Sequence, residues 1–196
     1  MARIIHSWRF EKDHVHPYAW QESLFTPEEC EKIIEVGNQH LKEEAKVGQH
    51  QGRNDKKIRD SKISWISPTP HTDWFFNKCV ASILELNSRY FHFELTGLFE
   101  GLQFTRYEAP SGKYDKHVDR TFNSLIRKLS FTVQLSDPKK EKGGFLNIYD
   151  GDVPNKTKKS QGLLIAFPSF MLHEVTKVTK GTRYSLVGWV GGPNFK

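Results

Sequence analysis

The run KLSFTVQLS, residues 128–136, alternates strictly. Leu129, Phe131, Val133 and Leu135 fall on one side of an extended chain, and Ser130, Thr132 and Gln134 on the other. Period two over this length is the pattern of a strand with one apolar face in a core. Shorter aromatic or β-branched runs follow the same logic: FHFEL, GLQFTRYE, GGFLNIYD, GLLIAFP and TRYSLVGWV, separated by Gly, Pro and Asp. They predict a series of short strands from about residue 93 to 191.

Upstream the period changes. In LFTPEECEKIIEVGNQHLK, Thr26 is placed as an N-cap, Pro27 at the first helical position, and Glu29 closes a capping box. Cys30, Ile33, Ile34 and Val36 supply the apolar stripe. A second helix is predicted from about Asp73 to Arg89, with Trp74, Phe75, Val80, Ile83 and Leu84 at helical spacing and Thr72 or Asp73 as cap. KISWI, residues 62–66, is a short strand, and the basic stretch 46–60 is a mobile loop. Two leading helices followed by many short strands predict a mainly β fold, a barrel or sandwich with helices packed outside.

At 196 residues the chain is expected to form one domain. Its parts would be a helical N-terminal portion (1–92) and a β core (93–191). The net charge of +6 concentrates at 46–62, 139–142 and 156–159. Such lysines fit solvated loops, or attraction of an acidic peptide or nucleic acid; charge alone does not choose. Cys30 and Cys79 lie in helix-like patterns among apolar residues, which argues against a disulfide framework and for a reducing compartment. MARIIHSWRF lacks the apolar core of a signal peptide, and no apolar run reaches membrane-spanning length. The expectation is a cytoplasmic protein, of a bacterium or a virus-infected host cell, with no membrane partner.

Candidate chemistry centres on KYDKHVD. On a strand or its end, His117 and Asp119 point the same way and can reach one ion. A third ligand must come from elsewhere, and FPSFMLHEV offers His173. Two histidines and one carboxylate form the facial set that suits non-haem Fe(II). Ten residues beyond His173 stands Arg183, on the same side of the last strand as Ser185, Val187 and Trp189. An arginine aimed into a barrel requires an anion, and a dicarboxylate would supply one. Taken singly, H-x-D is an ordinary tripeptide and His173 an ordinary core histidine; the combination carries the reading. His71 and Asp73 precede a helix that Thr72 and Asp73 cap, His14 and His16 lack a carboxylate set, and His92 reads as structural. His6, His40 and His50 read as surface residues.

Together these residues resemble the Fe(II)- and 2-oxoglutarate-dependent dioxygenases, in their prolyl 4-hydroxylase-like branch. The resemblance spans roughly residues 20–190 and rests on YEAPSGKYDKHVD, LSFTVQLSD with GGFLNIY, and FPSFMLHEVTKVTKGTRYSLVGW. It implies a double-stranded β-helix core, jelly-roll or cupin-like, packed against N-terminal α-helices. It implies His117, Asp119 and His173 as Fe(II) ligands and Arg183 as the anchor of the distal carboxylate of 2-oxoglutarate, with O2 as oxidant and ascorbate in support. Tyr107 matches a tyrosine lining the co-substrate pocket. Gln134 stands where oxygen-sensing relatives place a second tyrosine, which is a departure. Arg127, Trp189, Arg59 and Trp65 match substrate-side positions, and Tyr114 is a further candidate there, with the 46–60 loop as lid. For Arg127 the alternative is a solvated strand-start charge, and for Tyr114 it is packing before the metal pair. The implied reaction hydroxylates a C–H bond, first of all on a peptidyl proline, releasing succinate and CO2. The alternatives are another amino-acid side chain, a free small molecule, or a non-catalytic cupin-like metal-binding module. Nucleic-acid demethylases of the superfamily carry a second arginine where this chain has Trp189, which argues against a nucleic-acid substrate.

Overall fold

The alternating run 128–136 becomes a central strand, and both of its faces are buried. A computed structural model describes residues 16–39, 41, 43–44, 55–119 and 126–194. The first strands are β1 (Ala19–Gln21), β2 (Glu43–Glu44), β3 (Arg59–Asp60) and β4 (Lys62–Ile66), with helix α1 (Pro27–Gln39) between β1 and β2. Helix α2 (Asp73–Leu86) runs on into a π-helical turn, Asn87–Phe91. Then come β5 (Gly97–Leu98), β6 (Leu102–Glu108), β7 (Lys113–His117) and β8 (Arg127–Gln134). After a 3-10 turn at Pro138–Lys140 follow β9 (Lys142–Gly143), β10 (Leu146–Tyr149), β11 (Pro154–Lys156) and β12 (Leu164–Pro168). The last three strands are β13 (Leu172–Val175), β14 (Val178–Lys180) and β15 (Thr182–Gly191).

Among the described residues, the larger sheet runs β1-β12-β8-β15-β6-β4-β2, with β5 on the end of β15. A second sheet runs β11-β10-β13-β7-β3, and β14 pairs with β9. Every pairing is antiparallel. The result is a mainly β jelly-roll with helices outside, as the patterning predicts. Strands β1 to β4 come from the N-terminal portion and complete both sheets, so that portion is not only helical.

The helices cover one face of the large sheet. Leu129, Phe131 and Val133 of β8, with Phe104 of β6, pack against Cys30 and Ile33 of α1 and Phe75, Cys79 and Ile83 of α2. Each fully buried phenylalanine contributes about 2–3 kcal/mol by leaving water. A Cβ at Gly37 would run into the Phe104 ring, so glycine lets α1 lie close on the sheet. The capping box forms as predicted: Thr26 N–H donates to Glu29 Oε2 (3.0 Å) and Glu29 N–H to Thr26 Oγ1 (3.2 Å).

The other face of the large sheet meets the second sheet. Ile165 and Phe167 of β12 pack there on Leu146 and Ile148 of β10. The polar positions Ser130, Thr132 and Gln134 also lie on this inner face, and all are buried. A polar stripe that would suit solvent on an open sheet lines the interior here.

Several details depart from the sequence reading. FHFEL is not a strand: Phe91 ends the π turn, and His92 is exposed in left-handed backbone (φ 55°). Thr72 precedes α2 without capping it, because its hydroxyl donates to Ser67 O (2.9 Å) and accepts from Thr69 N–H (2.8 Å). The buried stripe of α2 is Phe75, Phe76, Cys79, Ile83 and Leu86, whereas Val80 and Leu84 are exposed. Residues 46–54 of the proposed lid, with His6, His14, His40 and His50, lie outside the described residues. Burial pushes the Cys30 and Cys79 thiols up to about 12. No helix among the described residues is long and apolar enough to cross a membrane.

Candidate metal centre

Strand β7 ends on His117, and β13 pairs with it so that His173 sits directly opposite. Two residues past His117, the Asp119 N–H donates to Ser169 O (3.0 Å), which holds it against the turn between β12 and β13. His173, far along the chain, thereby meets His117 and Asp119. His117 Nε2 lies 3.7 Å from Asp119 Oδ1, and His173 Nε2 lies 3.5 Å from Asp119 Oδ2. Donors about 2.1 Å from one ion at right angles sit about 3 Å apart, so small movements bring these three onto one metal.

The hydrogen bonding behind the ring nitrogens fits that use. His117 Nδ1 lies 2.8 Å from Asp115 O and His173 Nδ1 2.9 Å from Met171 O. A carbonyl only accepts, so each Nδ1 carries the proton and each Nε2 presents a lone pair toward the carboxylate. Burial, helped by the neighbouring His173, pushes the His117 pKa down to about 4, so its neutral, ligating form persists well below neutrality. For Asp119, burial favours the protonated acid, but His173, His117 and the dipoles of Trp189 and Ser130 outweigh it and keep the carboxylate ionised. The Trp189 Nε1 is buried without a hydrogen bond of ordinary geometry, and it acts on Asp119 through space.

A stack buttresses His117 from the far side. Tyr114 lies parallel to it (3.5 Å between centroids, 18°), and the Arg59 guanidinium lies 4.4 Å above Tyr114. Pairing of β3 with β7 sets Arg59 opposite Tyr114. Arg59 is buried and donates to Ser61 Oγ (3.0 Å) and Gln103 Oε1 (2.8 Å). Burial raises the Tyr114 phenol, against the pull of Arg59. Both residues thus touch the metal-side histidine's surroundings rather than a free surface.

Arg183 is 3% exposed, and among the described residues it forms no ion pair with a carboxylate. Its Nε donates to Gln134 Oε1 (3.1 Å) and its Nη1 to Ser185 Oγ (3.2 Å), while Tyr107 on the neighbouring strand lies 5.3 Å from the guanidinium. Burial lowers its pKa, opposed by Tyr107 and Glu141. The inner face of β8 and β15 carries Ser130 and Trp189 beside Asp119 at one end and Gln134 and Ser185 beside Arg183 at the other. A buried cation on the large sheet and a potential metal set anchored on the second sheet therefore face the same interior, which suits a small anionic ligand spanning them.

Gly144 seats Arg183. It is left-handed (φ 62°), and a Cβ there would come within 2.8 Å of Arg183 Cδ. Gly144→Ala is expected to cost about 1–3 kcal/mol of stability from backbone strain. A lowered urea midpoint at unchanged m-value would show it.

At the rim, Trp65 is 44% exposed and its ring centroid lies 5.9 Å from that of Trp189. Arg127 stacks 3.9 Å over Trp189, and its Nε and Nη2 donate to Glu100 (2.9 and 2.7 Å) while Nη1 reaches the Asp119 carbonyl (3.4 Å). Its guanidinium is thus committed within the protein. Sequence reasoning passed over Glu100, Gln103, Glu141 and Lys159 as site residues. Glu141 sits between lysines in a segment that looks solvated, and no local signal marks it as buried.

A model of the 2OG-Fe(II) oxygenase superfamily matches residues 102–191. A PKHD-type hydroxylase of Picosynechococcus is 42% identical over 90 residues, 45% of this chain and 41% of that protein. A PKHD-type hydroxylase of Prochlorococcus marinus is 39% identical over 99 residues, 50% of this chain and 44% of its own length. The chain spans less than half the length of these curated relatives. Among solved structures, a prolyl hydroxylase of Trichoplax adhaerens, in complex with a hypoxia inducible factor peptide fragment, superposes with a TM-score of 0.74 at 17% identity, covering 89% of this chain and 83% of that one. The viral collagen prolyl hydroxylase of Paramecium Bursaria Chlorella virus-1 gives 0.68 at 20% identity over 91% and 97%. A Pseudomonas putida prolyl-4-hydroxylase gives 0.64 at 22% over 91% and 94%. At these identities the structures speak for the fold.

Proposed function

We propose that this protein, whose residues 102–191 match a model of the 2OG-Fe(II) oxygenase superfamily, is a 2-oxoglutarate-dependent hydroxylase acting on a peptidyl proline. The observation that carries the reading is the meeting of His117, Asp119 and His173 in the interior between the two sheets that buried Arg183 also faces. His117 Nε2, the Asp119 carboxylate and His173 Nε2 would hold the metal. Fe(II) with 2-oxoglutarate and O2 supplies, when bound, the oxidising power to hydroxylate a C–H bond, with succinate and CO2 as co-products and ascorbate as supporting reductant.

The chain's own residues do the positioning. Arg183 would take the distal carboxylate of 2-oxoglutarate in a charge-assisted contact, with Gln134 and Ser185 fixing its plane and Tyr107 closing one side. The carbonyl bonds at each Nδ1 keep both imidazoles in the ligating tautomer. Tyr114 and Arg59 hold His117 from behind, and Arg127 steadies Trp189 and the Asp119 backbone. Buried aromatic and apolar groups around the triad exclude water from the reacting centre. The exposed Trp65 beside Trp189 offers a flat apolar rim for a proline ring or peptide backbone.

The relatives are named hydroxylases, and the fold neighbours, named prolyl hydroxylases, favour the prolyl substrate. The test is mass spectrometry of proline-containing peptides incubated with protein, Fe(II), 2-oxoglutarate and ascorbate. A mass gain of one oxygen on proline, dependent on 2-oxoglutarate, is the expected result. Oxygen gained on another side chain or on a free amino acid would move the substrate assignment. Absence of 2-oxoglutarate turnover would leave a metal-binding module.

A further inference from the structure

Behind Arg183 lies a buried ion pair with no part in the roles above. The side chain of Glu141 is fully enclosed and that of Lys159 nearly so, with Lys159 Nζ 2.9 Å from Glu141 Oε1. Gln134 joins this pair to the arginine. Its Nε2 donates to Glu141 Oε1 (2.8 Å) and Ser136 Oγ (3.0 Å), so its Oε1 is turned to accept from Arg183 Nε (3.1 Å). Ser136 Oγ donates in turn to Glu141 Oε2 (3.2 Å). Both carboxylate oxygens are thereby engaged, and the amide of Gln134 has one orientation.

We propose that Lys159 and Glu141 are positioning residues: a charge-neutral buttress that orients Arg183 through Gln134 and leaves the arginine's charge to the distal carboxylate of 2-oxoglutarate. This rests on the reading of Arg183 as the co-substrate anchor. Glu141 is needed because an amide free to flip would present Nε2 to the arginine, and two donors would then face each other. Lys159 is needed because a lone buried carboxylate one amide away would offset the arginine and repel an incoming anion. With Lys159 present, the three buried groups leave one net positive charge. Lys159 is itself anchored independently, donating to Gly143 O (2.6 Å) with its ammonium 5.0 Å from the centre of the Phe145 ring. The chain has Gln134 where a directly contacting tyrosine is expected by resemblance, and the buttress explains how a glutamine serves there.

The experiment measures ligand binding calorimetrically to the protein loaded with Mn(II) under exclusion of oxygen. The two probes are 2-oxoglutarate and 2-oxopentanoate, which has a methyl group in place of the distal carboxylate. Wild type is expected to prefer 2-oxoglutarate strongly. Lys159→Met should weaken 2-oxoglutarate by about tenfold, as expected for an uncompensated buried charge, and leave 2-oxopentanoate unchanged. The double variant Glu141→Gln/Lys159→Met, which removes the charge but keeps the hydrogen bond from Gln134, should recover most of the loss. Equal weakening of both ligands would assign Lys159 a packing role and overturn the proposal. An unaffected single variant, or a double variant no better than the single, would overturn it as well. If wild type fails to prefer 2-oxoglutarate, the Arg183 reading falls and the buttress with it.

Discussion

His117→Ala or Asp119→Ala is expected to abolish 2-oxoglutarate turnover while leaving the fold intact. Each ligand of a three-residue set is indispensable, because losing even a supporting group behind a ligand costs about 10–100-fold in metal affinity or activity. The fold should survive because neither side chain holds the sheets together. Among the described residues, His117 donates to the carbonyl two residues before it, and the contacts that hold the turn at Asp119 are made by its backbone, from N–H to Ser169 O and from Arg127 Nη1 to its carbonyl. Removing the Asp119 carboxylate also removes a charge whose burial is unfavourable by itself. Succinate formation and Mn(II) binding, with circular dichroism as the control, check the result. Wild-type succinate production by either variant would sink the metal assignment.

Arg183→Ala should raise the 2-oxoglutarate requirement by about two to three orders of magnitude, the usual effect of truncating one partner of a buried charge pair. In free energy that is about 3–4 kcal/mol. Arg183 sits on a wall otherwise made of neutral polar groups, Gln134 and Ser185, and neither can replace a cation. The maximal rate should fall less than the apparent affinity, since the metal ligands are untouched. Its expression in KM rather than kcat separates anchoring from catalysis. Unchanged dependence on 2-oxoglutarate concentration would remove Arg183 from the pocket.

Much of this architecture was legible in the chain. The period-two run at 128–136 named its own strand and its own apolar face, and the capping box at Thr26 and Glu29 formed as read. Strand residues two apart share a side, so Arg183 with Ser185, and His117 near Asp119, could be paired before any fold was known. Where local signals failed, tertiary packing had outvoted them. FHFEL has strand composition, but it follows α2 through a π turn and a left-handed His92, so it makes no ladder. Thr72 has the chemistry of a cap, yet the Ser67–Thr69 turn takes its hydroxyl first. Val80 and Leu84 fit a helical stripe by spacing, but the sheet reaches only the Phe75, Cys79 and Ile83 side.

The candidate centre divides the same way. Residue types and spacing determined which side chains were available: two imidazoles, a carboxylate and an arginine placed to look inward. Only the pairing of β7 with β13 decided that His173 would stand opposite His117. Only closure of the second sheet over the first decided that Ser130, Thr132 and Gln134 would face a buried interior instead of water. The surroundings of Arg127, turned onto Glu100 and Trp189, and of Glu141, enclosed with Lys159, were likewise set by partners far along the chain. A one-dimensional pattern records the direction of each side chain relative to its own backbone. The environment that direction meets is set by long-range contacts, and it alone tells a solvated charge from a buried one.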